Sequence, residues 1–324
     1  MTSIVQNASV AHFAYYLSHH PAVLGKANCT VMLGYTSGYE DIATEIEDGT
    51  RSLPGYQLRR FELDHAPQEV LSNAIREADV FVFFYDSSTL PRPQPGGPGF
   101  VRQLQSTMTE HWRKSILFKD YGPYFREAFS VEPERIDALN SQLIGIAAGA
   151  THLAFSNGKG SWLNAPLHSA KKWTSINGKG NFDLVPGEIA THCDDINACL
   201  QFTGTFLSTI PFAVKYGVIS SPVTIVVEKS RIVRVACESE GLRRDLEAYL
   251  SAHPSNSTIE ELGIGTNEGV RSLYGRNAGF EERHCGLHLG LGGGAVGSHH
   301  LDLIFSSGTL QFDERIVFDG QYRL

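Results

Sequence analysis

The chain has 324 residues, 42% hydrophobic and 19% charged, with a formal net charge of −8 and an isoelectric point near 5.9. That length holds one large domain or two moderate ones with a sizeable core. No stretch approaches the roughly 18 uninterrupted apolar residues of a membrane span, and the acidic balance opposes nucleic acid, whose binding relies on Lys and Arg neutralising phosphates. Neither a membrane nor a nucleic-acid partner is expected; a small molecule or a peptide is. The opening segment MTSIVQNASVAHFAYYLSHH lacks the basic start, apolar run and small-residue cleavage site of a secretory signal, so a cytoplasmic location is expected. Five scattered cysteines (Cys29, Cys193, Cys199, Cys237, Cys285) without a CxxC pair argue against a disulfide framework.

Along the first part of the chain, strand-like and helix-like segments alternate. The apolar run CTVMLGY precedes EDIATEIEDG, which has helical spacing; YQLRRFEL precedes the helix-like PQEVLSNAIREA; and ADVFVFFYD has the β-branched and aromatic density of a buried strand. This alternation predicts a parallel sheet with helices. Residues 91–99 (PRPQPGGPG) cannot sustain a helix and read as a lid or linker. Helical segments at 100–114 and 132–148 follow. Beyond them strand patterns dominate: THLAFSN, GSWLN, TFLSTI, VTIVVEK, RIVRVA, HLDLIF and RIVFDG, with one helix at 242–251. The expected class is α/β in two domains: an N-terminal parallel-sheet α/β domain at 1–148 and a C-terminal β-rich α+β metal-binding domain at 149–324.

The densest chemistry lies in EERHCGLHLGLGGGAVGSHHLD, residues 281–302, which holds four histidines, three acidic residues and a glycine-rich loop. In a strand, residues two apart face the same way, so His300 and Asp302 direct an imidazole and a carboxylate to one place. His288 in GLHLGL reaches the same place if the glycines at 292–297 turn the chain back as a hairpin. A single histidine is more often a hydrogen-bonded core residue than a ligand, but two imidazoles and a carboxylate converging suit zinc, iron(II), manganese or cobalt.

Gly292, Gly294 and Gly297 match the G-x-G-x-x-G spacing of dinucleotide-binding loops, yet the strand-like HHLDLIF stands where that motif needs a helix, and the chain is almost over. The glycines read instead as a turn beside the metal. Two further acidic residues occupy uncommon surroundings: Glu188 follows Pro-Gly in DLVPGEIATH, and Glu261 lies in the Gly-punctuated IEELGIGTNEG.

The succession VPGE, ELGIGTN, GLHLGLG and HLD resembles the thermophilic aminopeptidase (aminopeptidase T/S) family of metallopeptidases. All the matching motifs lie in the β-rich second half. The resemblance implies one or two divalent ions, zinc, cobalt or manganese, held by Glu188, Glu261, His288, His300 and Asp302. It further implies a hydrolase acting on a peptide or small amide through a metal-activated water, and, by analogy with dimeric relatives, a homodimer. Glu281 and Glu282 are the candidate catalytic groups, for proton transfer or for support of the ligands. The chain departs from the family at Ala295, where the family carries a tyrosine, and its loop between the two histidines is short; Tyr274, His284 and His299 are the candidates to stand in. The 2,5-dihydroxypyridine 5,6-dioxygenases are similar and keep the HLD pair, which implies the alternative of a mononuclear iron(II) dioxygenase with His288, His300 and Asp302 as its facial triad. A non-catalytic relative that binds a small molecule is the third reading.

Overall fold

The structure, a computed structural model, describes residues 2–51, 54–86, 98–180, 182–210 and 212–324. The chain divides into two compact units, one formed by Met1–Pro133 with Asn177–Pro186 and the other by Glu134–Ile176 with Gly187–Leu324. The parallel sheet and the β-rich half expected from the sequence are both present.

In the first unit, β1 (Cys29–Tyr35), β2 (Tyr56–Glu62), β3 (Val80–Tyr85) and β4 (Ser115–Lys119) form a parallel sheet in the order β2-β1-β3-β4. Its helices are α1 (Thr2–Ser18), α2 (Glu40–Thr50), α3 (Gln68–Glu77), α4 (Gly99–Glu110) and the single turn α5 (Phe125–Ala128). Every residue of β3 is buried, because VFVFFY is apolar throughout and successive side chains face opposite ways, so both faces of the strand are apolar. Phe81, Phe83 and Tyr85 pack with Leu71, Ala74 and Ile75 of α3 and Phe100 and Leu104 of α4. Phe84 stacks on Phe118 with centroids 4.6 Å apart and meets Phe125 of α5 edge-on, while Phe13 of α1 packs on the same two rings. The 91–99 segment expected as a lid or linker lies outside the described residues as far as residue 97.

The second unit begins with α6 (Pro133–Gly149) and contains β5 (His152–Ser156), β6 (Trp162–Pro166), β7 (Thr174–Ile176), β8 (Glu188–Thr191), β9 (Asn197–Ser208), β10 (Ile219–Glu228), β11 (Arg231–Ala236), β12 (Ile259–Gly265), β13 (Gly286–Leu291), β14 (Leu301–Phe305), β15 (Thr309–Phe312) and β16 (Arg315–Phe318). These twelve strands form one antiparallel sheet in the order β16-β15-β5-β6-β9-β14-β13-β12-β8-β7, with β10 and β11 branching from β9. Helices α7 (Phe212–Tyr216) and α8 (Glu240–Ala252) complete the unit. Its core joins Leu139, Leu143 and Ala147 of α6 and Leu242 and Leu246 of α8 to the apolar residues of the strands. No helix among the described residues is long and apolar enough to cross a membrane.

Candidate metal centre

Strands β8, β12, β13 and β14 are neighbours, and their register puts the predicted ligands on one face. Asp302 of β14 pairs with Gly290 of β13, and Gly290 pairs with Glu261 of β12. One step along, His288 pairs with Gly263, and one step further Gly265 pairs with Glu188 of β8. Directly paired residues share a face, as do residues two apart, so Glu188, Glu261, His288 and Asp302 stand together with Gly263, Gly265 and Gly290 between them. The glycines are what make the room. A Cβ at Gly263 would lie 1.9 Å from His288 Nε2, and one at Gly290 would lie 2.8 Å from Glu261 Cβ, 2.9 Å from His300 Cε1 and 3.1 Å from Asp302 Oδ1. The E-x-G-x-G of β12 and the H-x-G of β13 therefore form a floor bare of side chains beneath the polar cluster.

His300 precedes β14 and is carried in by the glycine loop. That loop is tied at both ends: the Tyr249 hydroxyl donates to the carbonyls of His299 (2.6 Å) and Leu291 (3.1 Å), the His299 N–H donates to Asn256 Oδ1 (3.1 Å), and the Ser208 hydroxyl donates to the His300 carbonyl (2.7 Å). The hairpin turn expected at 292–297 is present, joining β13 to β14.

The five residues form two overlapping groups, each with ligand atoms within 4.8 Å of one another: Glu188, Glu261 and His288, and Glu261, His300 and Asp302. Glu261 belongs to both. His288 Nε2 lies 3.1 Å from Glu188 Oε1 and 3.8 Å from Glu261 Oε1. His300 Nε2 lies 2.9 Å from Asp302 Oδ1, and apart from that ion-pair contact neither buried Asp302 oxygen has a hydrogen-bond partner. Asp302 is 1% exposed. A carboxylate so placed needs a positive partner, which the protonated His300 imidazole or a bound cation supplies, and an acid-rich set of three carboxylates and two imidazoles fits a divalent metal ion.

The charges are strongly linked. The Asp302 carboxylate beside it, against the opposing effect of burial, pushes the His300 imidazole up to about 9, aided by the Glu261 charge and the Gly292 carbonyl. Burial would raise the Glu261 carboxyl, but its contact with His288 and the charges of His288 and His300 outweigh burial and hold it below the usual carboxylate range.

Around the ligands lie residues that the sequence reading did not single out. Arg283 is 1% exposed, and its guanidinium donates to Glu188 Oε2 and to Glu282 Oε1, the latter at 2.7 Å. Asn140 of α6, also 1% exposed, donates to the Glu188 carbonyl (3.0 Å) and the Ser175 hydroxyl (2.9 Å) and accepts from the Thr266 hydroxyl (2.5 Å). Asn140 stands in a helical pattern like any polar residue, and Arg283 is hidden among charged neighbours in EERH; neither position carries a motif.

The remaining candidates fall outside both groups. The Glu281 carboxylate accepts the backbone N–H groups of Tyr274 (2.8 Å), Gly275 (2.9 Å) and Arg276 (2.7 Å); burial raises its carboxyl in spite of those bonds. It braces the 274–276 turn. Glu282 touches the cluster through Arg283. Of the candidates to replace the family tyrosine, Tyr274 lies against Phe280 at 5.9 Å between centroids, His284 is lowered to about 4 by burial, and His299 Nδ1 sits 3.4 Å from the Thr209 hydroxyl.

Comparison with known proteins defines the fold. Residues 218–313 match the family model described as Crocagin biosynthetic protein CgnE/B, a segment that includes Glu261, His288, His300 and Asp302 and leaves out Glu188. No curated protein matches the chain. Among solved structures, wild-type AmpT from Thermus thermophilus superposes with a TM-score of 0.61 at 13% identity, covering 100% of both chains. The 2,5-dihydroxypyridine dioxygenase from Pseudomonas putida KT2440 superposes with a TM-score of 0.57 at 16% identity, covering 98% of this chain and 97% of that one. At such identities the likeness is one of fold, and both of these proteins are of kinds that the sequence resembles.

Proposed function

We propose that the chain is a metal-dependent hydrolase of aminopeptidase-like type, acting on a peptide or small amide. The observation that carries the metal requirement is the convergence of the buried Asp302 carboxylate with Glu261 and His300, whose ligand atoms all lie within 4.8 Å of one another. Zinc, cobalt or manganese held there would act as a Lewis acid on the scissile carbonyl and lower the pKa of a bound water toward neutrality.

The protein's part is to fix the donors and keep the carboxylates among them ionised. Glu261 remains a carboxylate under the influence of His288 and His300, and the ties from Tyr249 and Ser208 hold His300 at the strand entrance. The donor arrangement favours hydrolysis over oxygen chemistry. Non-haem iron oxygenases gather two imidazoles and one carboxylate at one point. Here His288 and His300 belong to different groups, and among the described residues the triad of His288, His300 and Asp302 is not assembled as one group.

The test is to strip the protein of metal, load it separately with Zn2+, Co2+ and Mn2+, and follow cleavage of aminoacyl p-nitroanilides and short peptides by absorbance and mass spectrometry, with Asp302→Asn as the blank. Turnover that vanishes in the variant supports the reading. Oxygen uptake on dihydroxylated aromatic rings by the iron(II)-loaded protein, without amide cleavage, would replace it with the dioxygenase. Saturable binding of a peptide that is never cleaved would replace it with a non-catalytic binder.

A further inference from the structure

We propose that the Glu188 end of the cluster is already filled by a cation of the protein's own, the Arg283 guanidinium, so that the chain takes one divalent ion, at Glu261, His300 and Asp302, rather than two. This rests on the metal-binding reading above and narrows it.

The two ligand groups look alike in donor type and differ in electrostatic state. In the first, both oxygens of Glu188 are engaged: Oε2 accepts from Arg283, and Oε1 lies 3.1 Å from His288 Nε2. Arg283 and Glu188 are 1% and 3% exposed. A guanidinium does not give up its proton in a protein, so Glu188 has a permanent positive neighbour. Separating a buried pair of this kind leaves an uncompensated charge out of water, which is strongly unfavourable. An ion bound between Glu188 and His288 would add a divalent charge beside a fixed guanidinium that already serves Glu188 and Glu282. In the second group the neighbour of Asp302 is the His300 imidazole, with Nε2 2.9 Å from Oδ1, which unlike a guanidinium can give up its proton and serve as a ligand itself.

The sequence delivers Arg283 to this place by identifiable means. Arg283 ends the short 3-10 turn Glu281–Arg283, which lies over β12 where Gly265 offers no side chain; a Cβ there would meet the His284 carbonyl oxygen at 2.0 Å and the Glu282 carbonyl oxygen at 2.8 Å. The Asn267 N–H donates to the Arg283 carbonyl at 3.0 Å, and Glu281 anchors the turn to residues 274–276. The guanidinium is thus held by backbone on both sides of its own residue.

The experiment is calorimetric titration of the metal-stripped full chain with Zn2+, with metal content after desalting measured by mass spectrometry. One ion per wild-type chain is expected. Glu188→Gln should keep that ion with affinity within about threefold, whereas Asp302→Asn should lose it by roughly 100-fold or more. Arg283→Met, checked for folding by circular dichroism, should admit a second ion. Two ions in the wild type, or loss of the single ion in Glu188→Gln, overturns the assignment of Arg283 while leaving metal binding intact, and a folded Arg283→Met that still holds one ion does the same. No ion in the wild type removes the metal-binding reading itself. Should Arg283→Met fail to fold, the wild-type stoichiometry and Glu188→Gln still decide.

Discussion

Gly263 and His288 face each other across β12 and β13, and the imidazole occupies the space that a side chain at 263 would need: a Cβ there would stand 1.9 Å from Nε2, 2.3 Å from Cε1 and 2.6 Å from Cδ2. His288 is 1% exposed and lies between Glu188 and Glu261, so it has no free direction in which to retreat. Gly263→Ala should therefore lower the stability of the metal-free protein by about 1–3 kcal/mol, the usual cost of overpacking a close-packed interior. Denaturant unfolding measures this, and a change within error of zero would mean that the ring is not held against β12.

Asp302 sets up a test of the ion itself. A ligand that binds only the folded chain stabilises it by about 2.7 kcal/mol when present at roughly 100 times its dissociation constant. Wild-type protein should gain stability of that order from Zn2+. Asp302→Asn, which keeps the shape and removes the charge, should gain almost none. Thermal unfolding with and without the ion compares them directly, and an equal upward shift in both proteins would place the ion elsewhere.

Much of this was legible from the sequence because strand periodicity is a local signal. The runs CTVMLGY, YQLRRFEL and VFVFFY are strands β1, β2 and β3, and HLDLIF holds β14 in register with the GLHLGL strand, which sets Asp302 opposite Gly290 and on the face that carries His288. Helix α1 and strand β4 carry no such clear signal. In α1 the buried Val10, Phe13, Ala14 and Leu17 do form one i, i+3, i+4, i+7 stripe, but apolar and aromatic residues off it, Ala11, Tyr15 and Tyr16, blur the period, and β4 is a five-residue piece (SILFK) that directly follows basic residues. The excursion of residues 177–186 into the first unit depends on contacts far apart in sequence. For the same reason the division of the five polar residues into two groups, and the guanidinium of Arg283 against one of them, are absent from any motif: they follow from pairing register, which spacing along the chain does not encode.

Asn140 connects α6 to the strand that carries Glu188. Its amide donates to the Glu188 carbonyl and the Ser175 hydroxyl, and its oxygen accepts from Thr266. Asn140→Ala leaves a buried carbonyl and a buried hydroxyl without partners, each such loss costing about 1–3 kcal/mol. A total destabilisation of about 2–4 kcal/mol is expected, seen as a lower denaturation midpoint with an unchanged slope. A shift below about 0.5 kcal/mol would match an ordinary surface substitution and contradict the bracing role.

His20, at the end of α1, governs part of the response to acid. Burial lowers its imidazole from 6.5 to about 4; the residue is fully buried, its Nδ1 accepts the Ala22 N–H at 3.2 Å and its Nε2 has no hydrogen-bond partner. Protonation would put a charge in that apolar setting and turn Nδ1 from acceptor to donor. Because the folded pKa is the lower one, the unfolded chain takes up the proton first as pH falls. The neutral ring's contribution is complete above pH 6.5, declines between 6.5 and about 4, and has gone once the folded form also protonates. His20→Leu should flatten the stability curve across that window while changing it little above pH 7. His284, lowered to about 4 for the same reason, acts in the same sense, so the single variant should remove a part of the acid slope and leave the rest. An unaltered slope in His20→Leu, read from denaturation midpoints at half-unit steps of pH, would show that His20 is charged in the folded protein.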